Sequence, residues 1–229
     1  MFTKKSSAIL TSAFLFIEAI LYYIILTKGG SLLVWSSFIS VLLCFLYSAL
    51  FIKKGDKFII LALLFTVGAD FFLVVANPVN RLFGMLFFMV AQTLYAIKLH
   101  KNKKSKIFLV LRISAIFIAE TITVFILKEN TDLLAVVSIY YYVNLLINIV
   151  HSFSNWKKDK LFPIGLVLLF LCDTIIGLQT ASGVYFNIPE SSFVYRFIFM
   201  DFFISWFFYL PSQILVSLSS VTKKDTMSV

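Results

Sequence analysis

The chain has little of what metal centres and disulfide frameworks need, since its 229 residues include only two cysteines and two histidines. Cys44 and Cys172 both lie inside apolar runs, so the sequence predicts neither a disulfide framework nor a zinc site. A metal site built from carboxylates alone stays open, but no ligand cluster at short spacing points to one. We therefore expect no metal and no cofactor.

Two common enzyme motifs are also missing from the sequence. There is no Gly-rich phosphate-binding loop and no serine of the G-x-S-x-G type. Nucleotide-dependent chemistry and serine hydrolysis on an α/β fold therefore fit this chain poorly.

Charged residues are scarce, at 14% of the chain, whereas hydrophobic residues make up 61% and the mean hydropathy is +0.98. Soluble domains average nearer ~25% charged and ~45–50% apolar residues. The apolar residues form long, nearly uncharged runs, each close to the ~20 residues that cross a bilayer. The sequence thus predicts an all-α integral membrane protein, a single domain over 1–229 with eight transmembrane helices, at about 8–26, 31–52, 58–76, 82–99, 107–127, 133–151, 161–180 and 194–220.

The basic residues are unevenly distributed over the predicted loops. Sixteen of the 20 Lys and Arg residues lie at the N-terminus, after the second, fourth and sixth spans, or at the C-terminus, and Arg112 just inside the fifth span is one of them. By the positive-inside rule, both termini are cytoplasmic. The net charge of +9 is then a topology signal that suits anionic headgroups, so we expect a lipid bilayer and no nucleic acid as partner. The expected location is a cell membrane, and we expect this membrane to be a bacterial plasma membrane.

Four acidic residues stand at nearly the same distance from the last lysine before their span. The distance is 13 residues for Glu18, Asp70 and Asp173 and 14 for Glu120, which is roughly 20 Å of helix. Charges at such depth cost at least ~2.5–3.5 kcal/mol each unless they face a polar interior. We therefore predict a layer of acids at one depth, with Asp201 entering the eighth span from the outside.

Polar side chains recur at steps of three and four beside these acids, which places each set on one helix face. Converging faces of this kind form a polar cavity inside an apolar shell. The members besides the acids are Thr66, Asn77, Gly84, Phe88, Gln92, Tyr95, Tyr141, Asn144, Asn148, His151, Gly177, Thr180, Ser205, Tyr209 and Gln213.

Paired carboxyls in such surroundings allow two kinds of chemistry. A carboxyl in an apolar pocket resists ionisation, and a second one nearby increases the effect, so that the pair divides into a proton donor and a base. This serves hydrolysis by general acid and general base, and it equally serves proton-coupled transport of a small solute or ion.

The third and seventh spans resemble each other. LALLFTVGAD ends at Asp70, and LVLLFLCD ends at Asp173. Because both spans have the same predicted orientation, a four-plus-four parallel repeat is a possible interpretation.

The segment TVGADFFLVVANPVNRLFGMLFFMVAQTLYAIKL, residues 66–99, resembles the central motif of the YhhN-like lysoplasmalogenase family. The matching positions are Asp70, Gly84, Phe87, Ala91 and Tyr95. A second pair of segments, LLFLCDTIIG with Asp173 and SWFFYLPSQILVSL with Tyr209 and Gln213, is also similar to the family. One position differs, because Gln92 stands where the family commonly has histidine, and an amide cannot transfer a proton as histidine does.

The resemblance implies hydrolysis of the vinyl ether bond of lysoplasmalogens to a fatty aldehyde and a glycerophospho-headgroup. The lysophospholipid substrate would enter sideways between helices. Asp70 and Asp173 are the expected catalytic pair, in an order left open. The expected substrate-binding residues are Gln92, Tyr95, Glu120, Asn144, Asp201, Tyr209 and Gln213.

Two other functions remain open at this stage. One is the proton-coupled transporter, and the other is a lipid-binding membrane protein without catalysis. An enclosed site that contains Asp70 and Asp173 and opens towards lipid favours the enzyme, whereas a water path to both membrane faces favours transport. The oligomeric state is not predicted.

Overall fold

The computed structural model describes residues 3–102, 106–128, 131–183, 187–200 and 204–221. Its described part is all-helical, and eight of its helices are long and apolar enough to cross a membrane, as predicted. The helices are α1 (Lys4–Thr27), α2 (Gly30–Leu50), α3 (Lys57–Asp70), α4 (Arg81–Asn102), α5 (Lys106–Leu127), α6 (Leu133–Phe153), α7 (Leu161–Ala181), α8 (Phe193–Ile198) and α9 (Ile204–Val221).

The short polar breaks in the sequence supply the helix caps. Asp56 caps α3 by accepting a hydrogen bond from the backbone N–H of Phe58, and Asp132 caps α6 through Ala135. Such side chains satisfy backbone donors that the first turn of a helix leaves without partners. The charged breaks therefore fix the first turns of these helices locally.

Helix α3 ends at Asp70, and the chain continues directly into a π-helical turn over Phe71–Val75. Single π-helical turns are rare and are frequent at functional sites. This change of helical pitch immediately follows the carboxylate that the sequence marks as the strongest candidate.

The last predicted span, 194–220, was wrong as a single helix. Ser192 accepts a hydrogen bond from the N–H of Tyr195 and starts the short helix α8, which ends at Ile198. The membrane-crossing helix is α9, and it contains Pro211. A helix of ~20 residues is enough to cross hydrocarbon. The apolar run is longer than that, and its first part forms the separate helix α8. Asp201 lies outside the described residues.

The packing of the helices follows a pattern that occurs twice. Helix α3 packs on α4 and α7 on α9, while α4 packs on α6 and α9 on α2. The outer helices behave alike, since α1 packs on α2 and α5 on α6. Helix α5 has no buried residue. Its apolar side chains face outward, as expected of a surface in contact with lipid.

Candidate functional site

The two aspartates of the predicted catalytic pair lie near each other in the interior of the bundle. Asp70 is buried at the end of α3, and Asp173 in α7 is half-buried. The tyrosines that bind them, Tyr209 and Tyr141, both pack against the ring of Phe88, so the two carboxyls belong to one cluster. Both aspartates also lie close to the buried thiol of Cys172. The bundle thus brings together two residues that are 103 positions apart in the chain.

Each of these carboxyls accepts a hydrogen bond from a tyrosine. The hydroxyl of Tyr209 on α9 donates to Oδ2 of Asp70 at 2.6 Å. The hydroxyl of Tyr141 on α6 donates to Oδ2 of Asp173. Such bonds hold a carboxyl in one orientation. Tyr209 was predicted as a site residue, whereas Tyr141 was expected only as a member of a polar face.

The ring of Phe88 on α4 joins the two aspartate–tyrosine pairs. Its centroid lies 5.6 Å from the ring of Tyr141 and 6.5 Å from that of Tyr209. Both tyrosines are 5% exposed or less. The two pairs therefore form one cluster, built from α3, α4, α6, α7 and α9.

The buried face of α4 continues from Phe88 towards Lys98, in the C-terminal part of the helix. Gln92 and Tyr95 follow at steps of four and three, and both are fully buried, as the spacing predicts. The hydroxyl of Tyr95 lies beside that of Thr66, and its ring packs edge-on against Phe162 at 5.3 Å. These contacts place Tyr95 next to the aspartate cluster.

Gln92 is engaged with α6. Its side-chain oxygen and its backbone carbonyl both accept hydrogen bonds from Nδ2 of Asn148, each at 2.9 Å. Gln92 thus fixes a neighbouring amide on α6.

Asn144 was predicted to bind substrate, and the structure gives it a different partner. Its Oδ1 accepts a hydrogen bond of 2.6 Å from Arg112 on α5, and Oδ1 of Asn148 accepts a second one, of 2.8 Å, from the same guanidinium. Sequence reasoning used Arg112 only as a topology marker. Arg112 lies six residues after Lys106, inside the predicted span, and this position was the signal that its side chain contacts the interior of the bundle.

The two glutamates lie in separate corners of the bundle. Glu18 on α1 is fully buried and accepts hydrogen bonds from Ser40 at 2.5 Å and from Cys44 at 3.7 Å. Glu120 on α5 lies beside Tyr140, and in the described part of the chain no hydrogen bond joins it to either aspartate. The four acids therefore do not form one ring of equal members, and their common depth stays a prediction.

Gln213 lies one helical turn after Tyr209 on α9 and is also buried. Its Oε1 has no hydrogen-bond partner among the described residues. A buried acceptor without a partner is costly. Gln213 is therefore available to a water molecule or to a substrate group beside the Asp70 pair.

An apolar cleft of ≈ 200 Å³ lies between α7, α8 and α9. Thr174, which directly follows Asp173, forms part of its wall, but the threonine hydroxyl is occupied by Phe170 and Tyr142. The other lining residues are Leu171, Ile175, Leu178, Phe193, Val194, Phe197, Ile198 and Phe208.

A comparison with protein families finds that the model of the YhhN family matches residues 32–220. The chain belongs to the YhhN family. Within this YhhN protein the matching motif residues are part of the packed interior: Ala91 is buried, and Gly84 lies so close to Leu73 that a Cβ atom would overlap with it. No curated protein and no solved structure matches the chain.

The described residues of this YhhN protein contain no group of three or more His, Cys, Asp or Glu side chains that could hold a metal ion.

Proposed function

We propose that this protein hydrolyses the vinyl ether bond of a lysoplasmalogen and releases a fatty aldehyde and a glycerophospho-headgroup. Membership of the YhhN family, which is associated with lysoplasmalogenase, supports the reaction class. The observation that carries the proposal is the buried cluster in which Asp70 and Asp173 are each bound by a tyrosine and both tyrosines pack against the ring of Phe88.

The reaction needs one proton donor and one anion. A carboxyl group of the pair protonates the alkenyl carbon that is not bound to oxygen, and the C–O carbon becomes an oxocarbenium ion. The carboxylate of the other aspartate stabilises this cation, and water adds to it with loss of a proton to that carboxylate. In the resulting hemiacetal the aspartate that took the water proton donates it to the glycerol oxygen, which leaves as an alcohol, and the first aspartate takes the hydroxyl proton as the aldehyde forms.

The neighbouring polar groups position the reacting atoms. Tyr141 and Tyr209 hold the carboxyls in their orientation. The free Oε1 of Gln213 is placed to accept a hydrogen bond from the attacking water or from a glycerol hydroxyl. Tyr95 is a further substrate-binding candidate on the same side of the cluster.

We also propose that both termini are cytoplasmic and that the protein lies in the cell membrane. The uneven distribution of Lys and Arg supports this orientation. The fifth to seventh helices then place Arg112 and Asn148 on the cytoplasmic side of the aspartates, and the apolar cleft beside Thr174 on the external side. A single-chain lipid fits this arrangement with its headgroup towards the cytoplasm and its alkenyl chain in the cleft.

A four-plus-four parallel repeat is the simplest account of the helix packing. If α1, α2, α3 and α4 are matched in this order with α5, α6, α7 and α9, four helix contacts occur in both sets. The matched contacts are α1–α2 with α5–α6, α2–α3 with α6–α7, α3–α4 with α7–α9, and α4–α6 with α9–α2. The helices α4 and α9 also share a short motif, FMVAQTL at 88–94 and YLPSQIL at 209–215. In this alignment Gln92 corresponds to Gln213, and Asp70 to Asp173.

The test is aldehyde release by the purified protein from a lysoplasmalogen in detergent micelles. We expect Asp70→Asn and Asp173→Asn each to lower the rate by roughly 10²- to 10⁴-fold, the usual contribution of a general acid or base. Asp132→Asn is the matched control, because it makes the same chemical change at an exposed helix cap, where asparagine serves as well as aspartate.

Two results would contradict the proposal in different ways. If the folded wild-type protein releases no aldehyde, the assigned reaction is wrong, and uptake of a solute coupled to protons in liposomes would then support transport. If both aspartate variants keep the wild-type rate, the reaction stands but the assigned residues are wrong.

A further inference from the structure

Arg112 is a cation inside a membrane span whose charge no acidic side chain neutralises in the described part of the chain. Two of its N–H groups donate to Oδ1 of Asn144 and Oδ1 of Asn148. A guanidinium has five N–H donors, and the other three make no hydrogen bond to a described residue. Arg112 is half-buried and keeps part of its side chain accessible. It is therefore fixed in place and still able to bind a further group.

The two asparagines that hold Arg112 are themselves fixed. Both are buried to about 1% exposure or less. Nδ2 of Asn144 donates to the backbone carbonyl of Tyr140, and Nδ2 of Asn148 donates to Gln92. Because both amide nitrogens are used in this way, both amide oxygens point at the arginine. The result is a preformed fork whose amide partners carry no negative charge.

The guanidinium fork is suited to one class of ligand. An arginine binds the oxygens of a phosphate through two parallel N–H bonds, whereas a lysine offers only a point charge. By contrast, the buried Lys98 of this protein lies 3.6 Å from the carboxylate of Asp159. Arg112 lacks such a carboxylate among the described residues, so an anion from outside the chain completes its environment.

The distance from Arg112 to the aspartates matches a glycerophosphate. The residues that hold Arg112 follow Tyr141, the partner of Asp173, by three and seven positions on α6, which corresponds to roughly 4.5–10 Å along the helix. In a lysoplasmalogen five bonds separate the vinyl ether oxygen from the phosphorus, a span of roughly 6 Å for single bonds near 1.5 Å. A phosphate bound at Arg112 thus leaves the vinyl ether within reach of Asp173.

We propose that Arg112 binds the phosphate of the lysophospholipid headgroup and thereby sets which bond of the lipid lies between the aspartates. This inference rests on the proposed function for the identity of the lipid. Asn144 and Asn148 are positioning residues that act through Arg112, and Gln92 acts through Asn148.

The test measures binding and does not depend on turnover. The ligands are a lysophospholipid with a saturated 1-O-alkyl chain, which has no vinyl ether to cleave, and the 1-O-alkylglycerol with the same chain, which has no phosphate. In detergent micelles we expect Arg112→Gln to weaken binding of the phospholipid by roughly 10- to 100-fold, the range for a lost hydrogen bond to a charged group. Binding of the alkylglycerol should be unchanged.

Arg81→Gln is the matched control, since it removes the same charge from an exposed residue at the start of α4. We expect it to leave both affinities unchanged. If Arg112→Gln keeps the wild-type preference for the phospholipid, the inference is wrong. If that variant does not fold, as judged by loss of alkylglycerol binding, Arg112→Lys takes its place, and a preference equal to wild type in Arg112→Lys overturns the bidentate phosphate site.

Competition distinguishes the lipid from a free anion. We expect inorganic phosphate to displace the phospholipid only at far higher concentration than an unlabelled lysophospholipid. Displacement at equal concentrations would overturn the assignment to a lipid headgroup. A protein that binds the phospholipid through Arg112 but releases no aldehyde would contradict the proposed function and leave this inference standing. Aldehyde release with unchanged phospholipid affinity in Arg112→Gln would do the reverse.

Discussion

Two corners of the bundle each hold one ionisable side chain between residues four positions apart on the neighbouring helix, and the two side chains carry opposite charges. In the first half Glu18 on α1 is held by Ser40 and Cys44, which are four residues apart on α2. In the second half Arg112 on α5 is held by Asn144 and Asn148, which are four residues apart on α6. One corner therefore contains a potential anion and the other a cation.

The two corners differ in what they leave available. Both oxygens of Glu18 accept hydrogen bonds, and the side chain is 0% exposed. Arg112 is only half-buried and keeps three N–H donors that bond to no described residue. The same contrast holds for the aspartates, since Asp70 is 3% exposed while Asp173 is half-buried. A closed, fully bonded corner stabilises the fold, and an open one can receive a ligand.

The largest expected effect is the loss of aldehyde release in the two aspartate variants. The next largest effects are expected for the tyrosines that donate hydrogen bonds to these aspartates. At the half-buried carboxyl, Tyr141→Phe removes the hydrogen bond to Asp173, and we expect a roughly 10- to 100-fold lower rate of aldehyde release. At the more deeply buried carboxyl, Tyr209→Phe leaves Asp70 without this donor and should lower the free energy of unfolding by about 1–3 kcal/mol. The rate of aldehyde release and thermal unfolding measure the two effects. A lower rate in Tyr209→Phe together with a lower stability in Tyr141→Phe would contradict the comparison.

Glycines on α7 provide a second comparison, between the inner and outer faces of one helix. A Cβ atom at Gly165 would lie 3.1 Å from the backbone carbonyl of Ser212 and 2.9 Å from the side chain of Val216 on α9. Because a backbone carbonyl cannot turn aside, we expect Gly165→Ala to lower the free energy of unfolding by about 1–3 kcal/mol.

The control for this prediction is Gly177→Ala on the same helix, where nothing lies within 4 Å of the added Cβ atom. It should leave stability unchanged or raise it slightly, since alanine favours helix over glycine by about 1 kcal/mol or less. Equal destabilisation by both substitutions, measured by thermal unfolding, would show that the α7–α9 contact is looser than described.

The smallest effect is expected at Glu18. Its amide analogue in Glu18→Gln still accepts a hydrogen bond from Ser40, so the change in the free energy of unfolding should be about 1 kcal/mol or less. Aldehyde release should equal that of wild type. A fall in rate comparable to that of Asp70→Asn would mean that the corner around Glu18 also takes part in the chemistry.

Part of the candidate site could be predicted from the sequence because it depends on local features. The acids Asp70 and Asp173 and the motifs around them are local features of single predicted helices. The buried face with Gln92 and Tyr95 follows from the spacing of these residues along one helix. The role of Asn144 could not be predicted in this way, because its partner Arg112 lies 32 residues earlier on a different helix.

The amino-acid sequence by itself determined that this protein has eight helices long and apolar enough to cross a membrane, because the length of an uncharged run is compared directly with the thickness of a bilayer. It also identified the family motif and the acids within the spans. Only the tertiary structure decided which acids meet, which tyrosine binds each one, and that Arg112 faces the interior. Those contacts depend on how separate helices rotate and pack against one another, and no local pattern specifies that.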